Sequence, residues 1–234
     1  MLHPREESRR PRPLALVPLA LTAALLAPSC KSEPDHPLET VEGLAELYQH
    51  MGRERVVRVH AVDRKGDPLL GKGVAIGDGS WILTSSHLIE EGDSVRVENV
   101  DAIGGEAELV TRDAETGLAL LRLDHDRLEG ARLGLDTFVE TGQDVYLMID
   151  DEFVDVAYAS ARVTGRREAA GGDLLRLNGF VRPEEYGGPV FDAGGAVVGV
   201  VIPDDLVDRN VRASYAQPGS TLLAFLQAAG GPIR

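Results

Sequence analysis

Cysteine is nearly absent from this 234-residue chain, occurring once, at Cys30. A single cysteine cannot close an intramolecular disulfide, and with no Cys-x-x-Cys pair and no Cys/His cluster there is no ligand set for a metal and no signature of a cofactor. A membrane-crossing run is missing from the N-terminal region. The uncharged stretch from Leu14 to Ala27 is fourteen residues interrupted by Pro18, whereas a helix crossing a hydrocarbon core of about 30 Å takes about 20. Basic residues are also scarce: 24 Lys and Arg stand against 38 Asp and Glu, a net charge of −14. Phosphate binding needs a basic face, so a nucleic-acid partner is not expected. The excess negative charge reads as a solubility device or as attraction for a basic partner.

Arg5, Arg9, Arg10 and Arg12 precede the Leu14–Ala27 stretch, and the small residues Ala27 and Ser29 follow it. This is the pattern of an export signal, so residues 1–29 are set aside from the fold. Ser8-Arg9-Arg10 offers a twin-arginine reading, but Pro11 and Arg12 stand where a hydrophobic continuation belongs, and the export route stays open. Leu26-Ala27-Pro28-Ser29-Cys30 resembles a bacterial lipobox, with Ala27 and Pro28 departing from its usual residues. Lipidation at Cys30 would anchor the protein to a membrane without spanning it. The alternative is ordinary signal-peptidase cleavage after Ser29. Either way four Arg and two Glu leave with the signal, taking the net charge from −14 to −16.

Residues 30–39 read as the modified cysteine and a polar, proline-containing tether, and residues 40–234 as the folded domain. From Thr40, the residues Val41, Leu44, Ala45, Tyr48 and Met51 recur at helical spacing, which predicts a short amphipathic helix. Thereafter the period is two. Val95 and Val97 alternate with Arg96 and Glu98, Ala107 and Leu109 with Glu106 and Glu108, and Val145, Leu147 and Ile149 run at the same spacing, as in half-buried strands. Turn signals at Gly77-Asp78-Gly79, Gly104-Gly105, Gly171-Gly172 and Ala193-Gly194-Gly195 punctuate them at short intervals, as in an antiparallel barrel or sandwich. The end is helical, with Ser220 as cap, Leu222, Leu223, Phe225 and Leu226 as apolar side and Gly230-Gly231-Pro232 as stop.

Pro183-Glu184-Glu185-Tyr186-Gly187-Gly188-Pro189 resembles the P-G-N-S-G-G-P nucleophile loop of trypsin-like serine proteases. Gly71-Lys72-Gly73 followed by Trp81-Ile82-Leu83-Thr84-Ser85-Ser86-His87-Leu88-Ile89 is similar to the stretch that carries the catalytic histidine in the HtrA-like branch. Asp113 to Leu123 is similar to the branch's aspartate strand, Gly142 to Gly165 is a looser counterpart of a later segment, and Tyr215 to Thr221 resembles the opening of the closing helix. The resemblance covers roughly residues 50–229 in the family's own order. It implies an all-β fold of two six-stranded antiparallel barrels with the cleft between them, flanked by a short N-terminal and a C-terminal helix. It stops before the PDZ module that many HtrA-like relatives carry, so capture of peptides by such a module is not expected.

The same resemblance places His87 on the catalytic histidine, Gly117 on its orienting aspartate and Tyr186 on the nucleophile, with Glu184, Gly187 and Gly188 in the oxyanion loop. Peptide hydrolysis by this mechanism needs an alcohol, a histidine base, an orienting carboxylate and two backbone N–H groups for the oxyanion. In serine proteases the serine is worth on the order of 10⁶ in kcat and the aspartate about 10⁴. No intact catalytic set is expected, because a phenol oxygen at the end of a rigid ring overshoots the place where a serine hydroxyl meets the carbonyl. Of the acidic neighbours Asp113 and Glu115, Glu115 shares Gly117's side of the strand one strand repeat away. Ser85 and Ser86 adjoin His87 in the chain, a poor arrangement for nucleophile and base. The implied protein is an inactive protease homologue on the periplasmic or cell-surface face of a membrane, binding a protein or peptide partner with no small-molecule cofactor. An extended peptide could add to a strand edge beside the cleft by backbone hydrogen bonds alone. An active endopeptidase with an atypical site and a purely structural envelope protein are the alternatives.

Overall fold

The computed structural model describes residues 52–63, 65–90, 92–124, 128–135, 137–149, 157–179, 181–203 and 213–233. The export signal, Cys30, the tether and the helix expected from Thr40 lie outside these residues.

Among the described residues, twelve strands form two closed antiparallel barrels of six. The first contains β1 (Val56–Val62), β2 (Pro68–Ile76), β3 (Trp81–Ser85), β4 (Ser94–Asn99), β5 (Gly104–Asp113) and β6 (Leu118–Leu123), ordered β1-β2-β3-β6-β5-β4 and closed by pairing of β4 with β1. The second contains β7 (Asp144–Ile149), β8 (Ala157–Ala169), β9 (Gly172–Leu177), β10 (Pro189–Phe191), β11 (Val197–Ile202) and β12 (Ser214–Pro218), ordered β10-β11-β12-β9-β8-β7 and closed by β10 with β7. The double barrel expected from the sequence is the observed fold.

Alternation explains the outer strands. In β4 the apolar Val95 and Val97 are buried while Ser94 and Arg96 face solvent. Other strands do not alternate: β3, β6, β10, β11 and β12 are buried on both faces except at Trp81 and Arg122. The apolar set explains them. Val57, Val59, Ile82, Val97 and Leu121 fill the first barrel, and Val145, Leu147, Val163, Leu175 and Val198 fill the second. A further cluster joins Val74, Ile76, Leu83, Leu118 and Leu120 of the first barrel to Phe191, Val197 and Val200 of the second. Strands at that seam need one apolar face for their own barrel and another for the neighbour.

The C-terminal helix, α1 (Gly219–Ala229), closes the seam with Leu222, Phe225 and Leu226. It starts earlier than the expected Ser220 cap: Pro218 is the N-cap, and Ser220 lies exposed in the first turn. It stops where expected, at Gly230, which adopts φ 65° and donates its N–H to the Gln227 and Leu226 carbonyls. Gly104 and Gly105 differ from expectation as well. They open β5, opposite Glu98 and Val97, and the chain reverses just before them. There the Asn99 side chain accepts from the backbone N–H of Asp101 and of Ile103, so the turn is built by asparagine.

Candidate functional site

Residues Arg182 to Gly188 run along the seam. Pro183–Glu185 forms a single 3-10 turn, with Pro183 at its start where a missing N–H costs nothing. Two bonds close it, Glu185 N–H to the Arg182 carbonyl at 2.9 Å and Tyr186 N–H to the Pro183 carbonyl at 3.1 Å. The second bond matters chemically. Of the two N–H groups that an oxyanion would need, those of Glu184 and Tyr186, the latter is already spent inside the turn. Glu184 itself faces solvent.

Beyond the turn the loop is stitched to its neighbours. Gly187 donates to the Val201 carbonyl at 2.9 Å, Val201 donates to Gly188, and the Tyr186 carbonyl accepts from Lys72 N–H at 2.8 Å. Gly187 has no alternative residue: its φ is 84°, and a Cβ there would lie 2.1 Å from the Lys72 carbonyl oxygen and 2.3 Å from Thr84 Oγ1.

His87 stands in a 3-10 turn, Ser86–Leu88, at the end of β3, with its side chain exposed. Ser85 caps that turn, its Oγ accepting from His87 N–H at 3.3 Å. Both Ser85 and Ser86 are buried, so neither hydroxyl is presented to a substrate. The imidazole meets the edge of the Tyr186 ring, with centroids 6.3 Å apart and planes at 88°, a favourable aromatic arrangement. Tyr186 is half-buried and leans on the core of the second barrel. Where the mechanism needs a hydroxyl within hydrogen-bond reach of the imidazole, there is a packed ring.

Behind His87, Gly117 is buried with φ 71°, and its carbonyl accepts from Ser86 N–H at 2.8 Å. The backbone link to the histidine turn is present without a carboxylate. Asp113 does not supply one: its two oxygens accept from Glu115 N–H and Thr116 Oγ1, each at 2.9 Å. Glu115 is exposed, and among the described residues no carboxylate bonds to the His87 ring. His60 sits apart on β1, 3.5 Å from Glu98. No group of three or more His, Cys, Asp or Glu among the described residues could hold a metal.

Sequence reading missed one pair altogether. Lys72, between the two glycines of β2, places Nζ 3.5 Å from Glu185 Oε2, with side chains only 2% and 3% exposed. Arg182 adds Nη2 at 3.4 Å from the other Glu185 oxygen. A charge set between strand glycines, and a second glutamate in the loop motif, were the available signals.

A family model described as the trypsin-like peptidase domain matches residues 71–200. Among curated proteins, a probable periplasmic serine endoprotease, DegP-like, of Halomonas elongata is 26% identical over 170 residues, covering 67% of this chain and 35% of that protein. One of the same description from a Marinomonas species is 27% identical over 164 residues, covering 68% and 35%. The chain thus spans about a third of the length of these relatives. Among solved structures, the HtrA-type protease AlgW with a tripeptide superposes with a TM-score of 0.68 at 21% identity, over 80% of this chain and 63% of that one. A serine endoprotease from Yersinia pestis gives 0.68 at 18%, over 82% and 68%.

Two stability measurements check this description. Breaking a buried ion pair from one side leaves an uncompensated charge and costs about 3–5 kcal/mol, whereas replacing both partners by apolar residues is close to neutral. Lys72→Met alone should therefore destabilise strongly in urea unfolding, and Lys72→Met with Glu185→Leu should recover most of the loss. If the double variant loses the sum of the two singles, the pair is not coupled. Removing a fully buried aromatic ring costs about 3–5 kcal/mol, so for the half-buried Tyr186 the change Tyr186→Ala should cost roughly 1–3 kcal/mol by the same scale. An unchanged midpoint would show that the ring is not packing.

Proposed function

Because the chain belongs to the trypsin-like peptidase domain family, we propose that it uses that scaffold to bind a protein or peptide partner without hydrolysing it. The observation that carries this reading is the occupancy of the nucleophile position by Tyr186, with its N–H bonded to Pro183 and its ring against His87. Gly117 supports it, since an imidazole with no carboxylate behind it is neither fixed in tautomer nor stabilised when charged. Glu184 supports it too. A carboxylate beside the oxyanion position opposes the charge that develops there.

The relatives named as periplasmic support an envelope location, and the export signal with Cys30 supports a lipid anchor on that side of the membrane. Such an anchor holds the domain near a surface where partners are concentrated, which suits capture by modest contacts.

Chemistry tests the first proposal. The purified chain should neither react with a fluorophosphonate probe nor cleave casein; cleavage that disappears in His87→Ala would sink the non-catalytic reading in favour of an atypical endopeptidase. Tyr186→Ser should restore no activity, because Gly117 and the closed 3-10 turn remain. Any rescue should need at least Gly117→Asp, Glu184→Gly and Tyr186→Ser together, with aspartate among the residues that tolerate the φ of 71° at that position.

Metabolic labelling with a fatty-acid analogue tests the anchor. The unaltered chain should be marked and Cys30→Ser should not. Equal labelling of both would refute lipidation at this residue.

A further inference from the structure

A second surface lies on the first barrel. The β4–β5 ladder ends at the pair Arg96–Glu106, while β5 continues to Asp113 paired with β6 alone. Among the described residues the other edge of β5 therefore runs without a partner strand from Ala107 onward, and it borders a groove of about 610 Å³ lined on the far side by residues 92–95. The charge lining the groove is one-sided. Asp93, Glu106, Glu108 and Asp124 stand against Arg112. Among the described residues Glu106, Glu108 and Asp124 form no ion pair. Asp93 Oδ2 accepts from Glu90 N–H at 2.6 Å, but its Oδ1 is buried with no hydrogen-bond partner.

We propose that this groove takes an extended segment of a partner protein bearing lysine or arginine, added as a strand along β5. Strand addition supplies backbone hydrogen bonds to the open edge, and the carboxylates select basic side chains. The stretch from Glu106 to Arg112 is about 20 Å long at about 3.3 Å per residue, enough for a segment of six or seven residues. Complementarity of charge decides among occupants. A second copy of this chain would bring the same acidic edge and be repelled, and an uncharged apolar segment would leave Glu106, Glu108 and Asp124 without a counter-charge. The bulge between Leu109 and Thr111 exposes Val110 at 41% and gives the segment one apolar contact amid the charge. This site is separate from the His87–Tyr186 cleft and does not rest on what the cleft binds.

The experiment uses the full chain and a fluorescein-labelled decapeptide of alternating lysine and valine, read by fluorescence anisotropy. Glu106→Gln with Glu108→Gln and Asp124→Asn should weaken binding about tenfold, whereas Glu140→Gln with Glu168→Gln and Asp173→Asn, on the second barrel, should change it less than about twofold. The peptide should slow hydrogen exchange at the amides of Ala107–Thr111, and its backbone N-methylated form should bind at least about tenfold less tightly. Equal loss in both variant sets would overturn the proposal by showing diffuse attraction to a negative protein. So would absence of binding, unchanged exchange along β5, or undiminished binding of the methylated peptide. Should the groove variant fail to fold, exchange protection in the unaltered chain decides alone.

Discussion

Everything at the cleft depends on the apolar seam between the barrels. Val74, Leu83, Leu118 and Leu120 meet Phe191, Val197 and Val200 there, all with essentially no exposure. At about 25 cal/mol per Å² of apolar surface removed from water, such a junction fixes the relative position of the two barrels more firmly than any polar contact on their rims. His87 at the end of β3 and Tyr186 just before β10 are held against each other by that junction. The meeting of these two loops is thus a consequence of packing, independent of which side chains they carry.

Upon that frame the loop around Tyr186 is organised by satisfaction of its polar groups. An enzyme's oxyanion site keeps donors free for a charge that appears only during reaction, and such pre-organisation is stored strain. Here the Tyr186 N–H is bonded to Pro183, the Gly187 N–H to Val201 and the Gly188 N–H to Glu185. The Glu185 carboxylate is buried against Lys72 and touched by Arg182. Buried charges are expensive unless paired, so this pair couples the loop to β2 as a unit that resists opening.

How far the sequence could be read follows the range of the interactions. Period-two alternation at Val95 and Val97 is local and correctly indicates a half-buried strand, whereas in β7 it breaks after Leu147, with Met148 buried in the seam cluster and Ile149 only half-buried. Leu118–Leu121 and Val197–Ile202 carry no alternation, because both faces of β6 and β11 are covered, and only the motif order of the family placed them. Gly104-Gly105 misled because a glycine pair signals a turn equally well one residue too late, when Asn99 has already made it with its side chain. Ser220 misled similarly, since Pro218 ends β12 and begins the helix without a side-chain cap. The motif resemblance singled out His87, Gly117 and Tyr186, and the fold brings the His87 and Tyr186 rings together. The Lys72–Glu185 pair could not be singled out in this way, because its partners lie on different barrels and meet only through the seam.

The distribution of charge adds a last constraint. A barrel has no free edges when every strand is paired along its whole length, yet among the described residues β5 outruns β4 and has no partner strand on that edge from Ala107 onward. Exposed edges invite self-association, and charged residues are the usual protection against it. Placing Glu106, Glu108 and Asp124 beside this edge deters another copy of the same negative chain. The same carboxylates cannot deter a basic segment; they attract it. One arrangement therefore opposes self-pairing and selects the charge of what can join it, while Ala107 and Leu109, packed on the core of the first barrel, hold that edge in place, so that little ordering cost remains to be met when a strand is added.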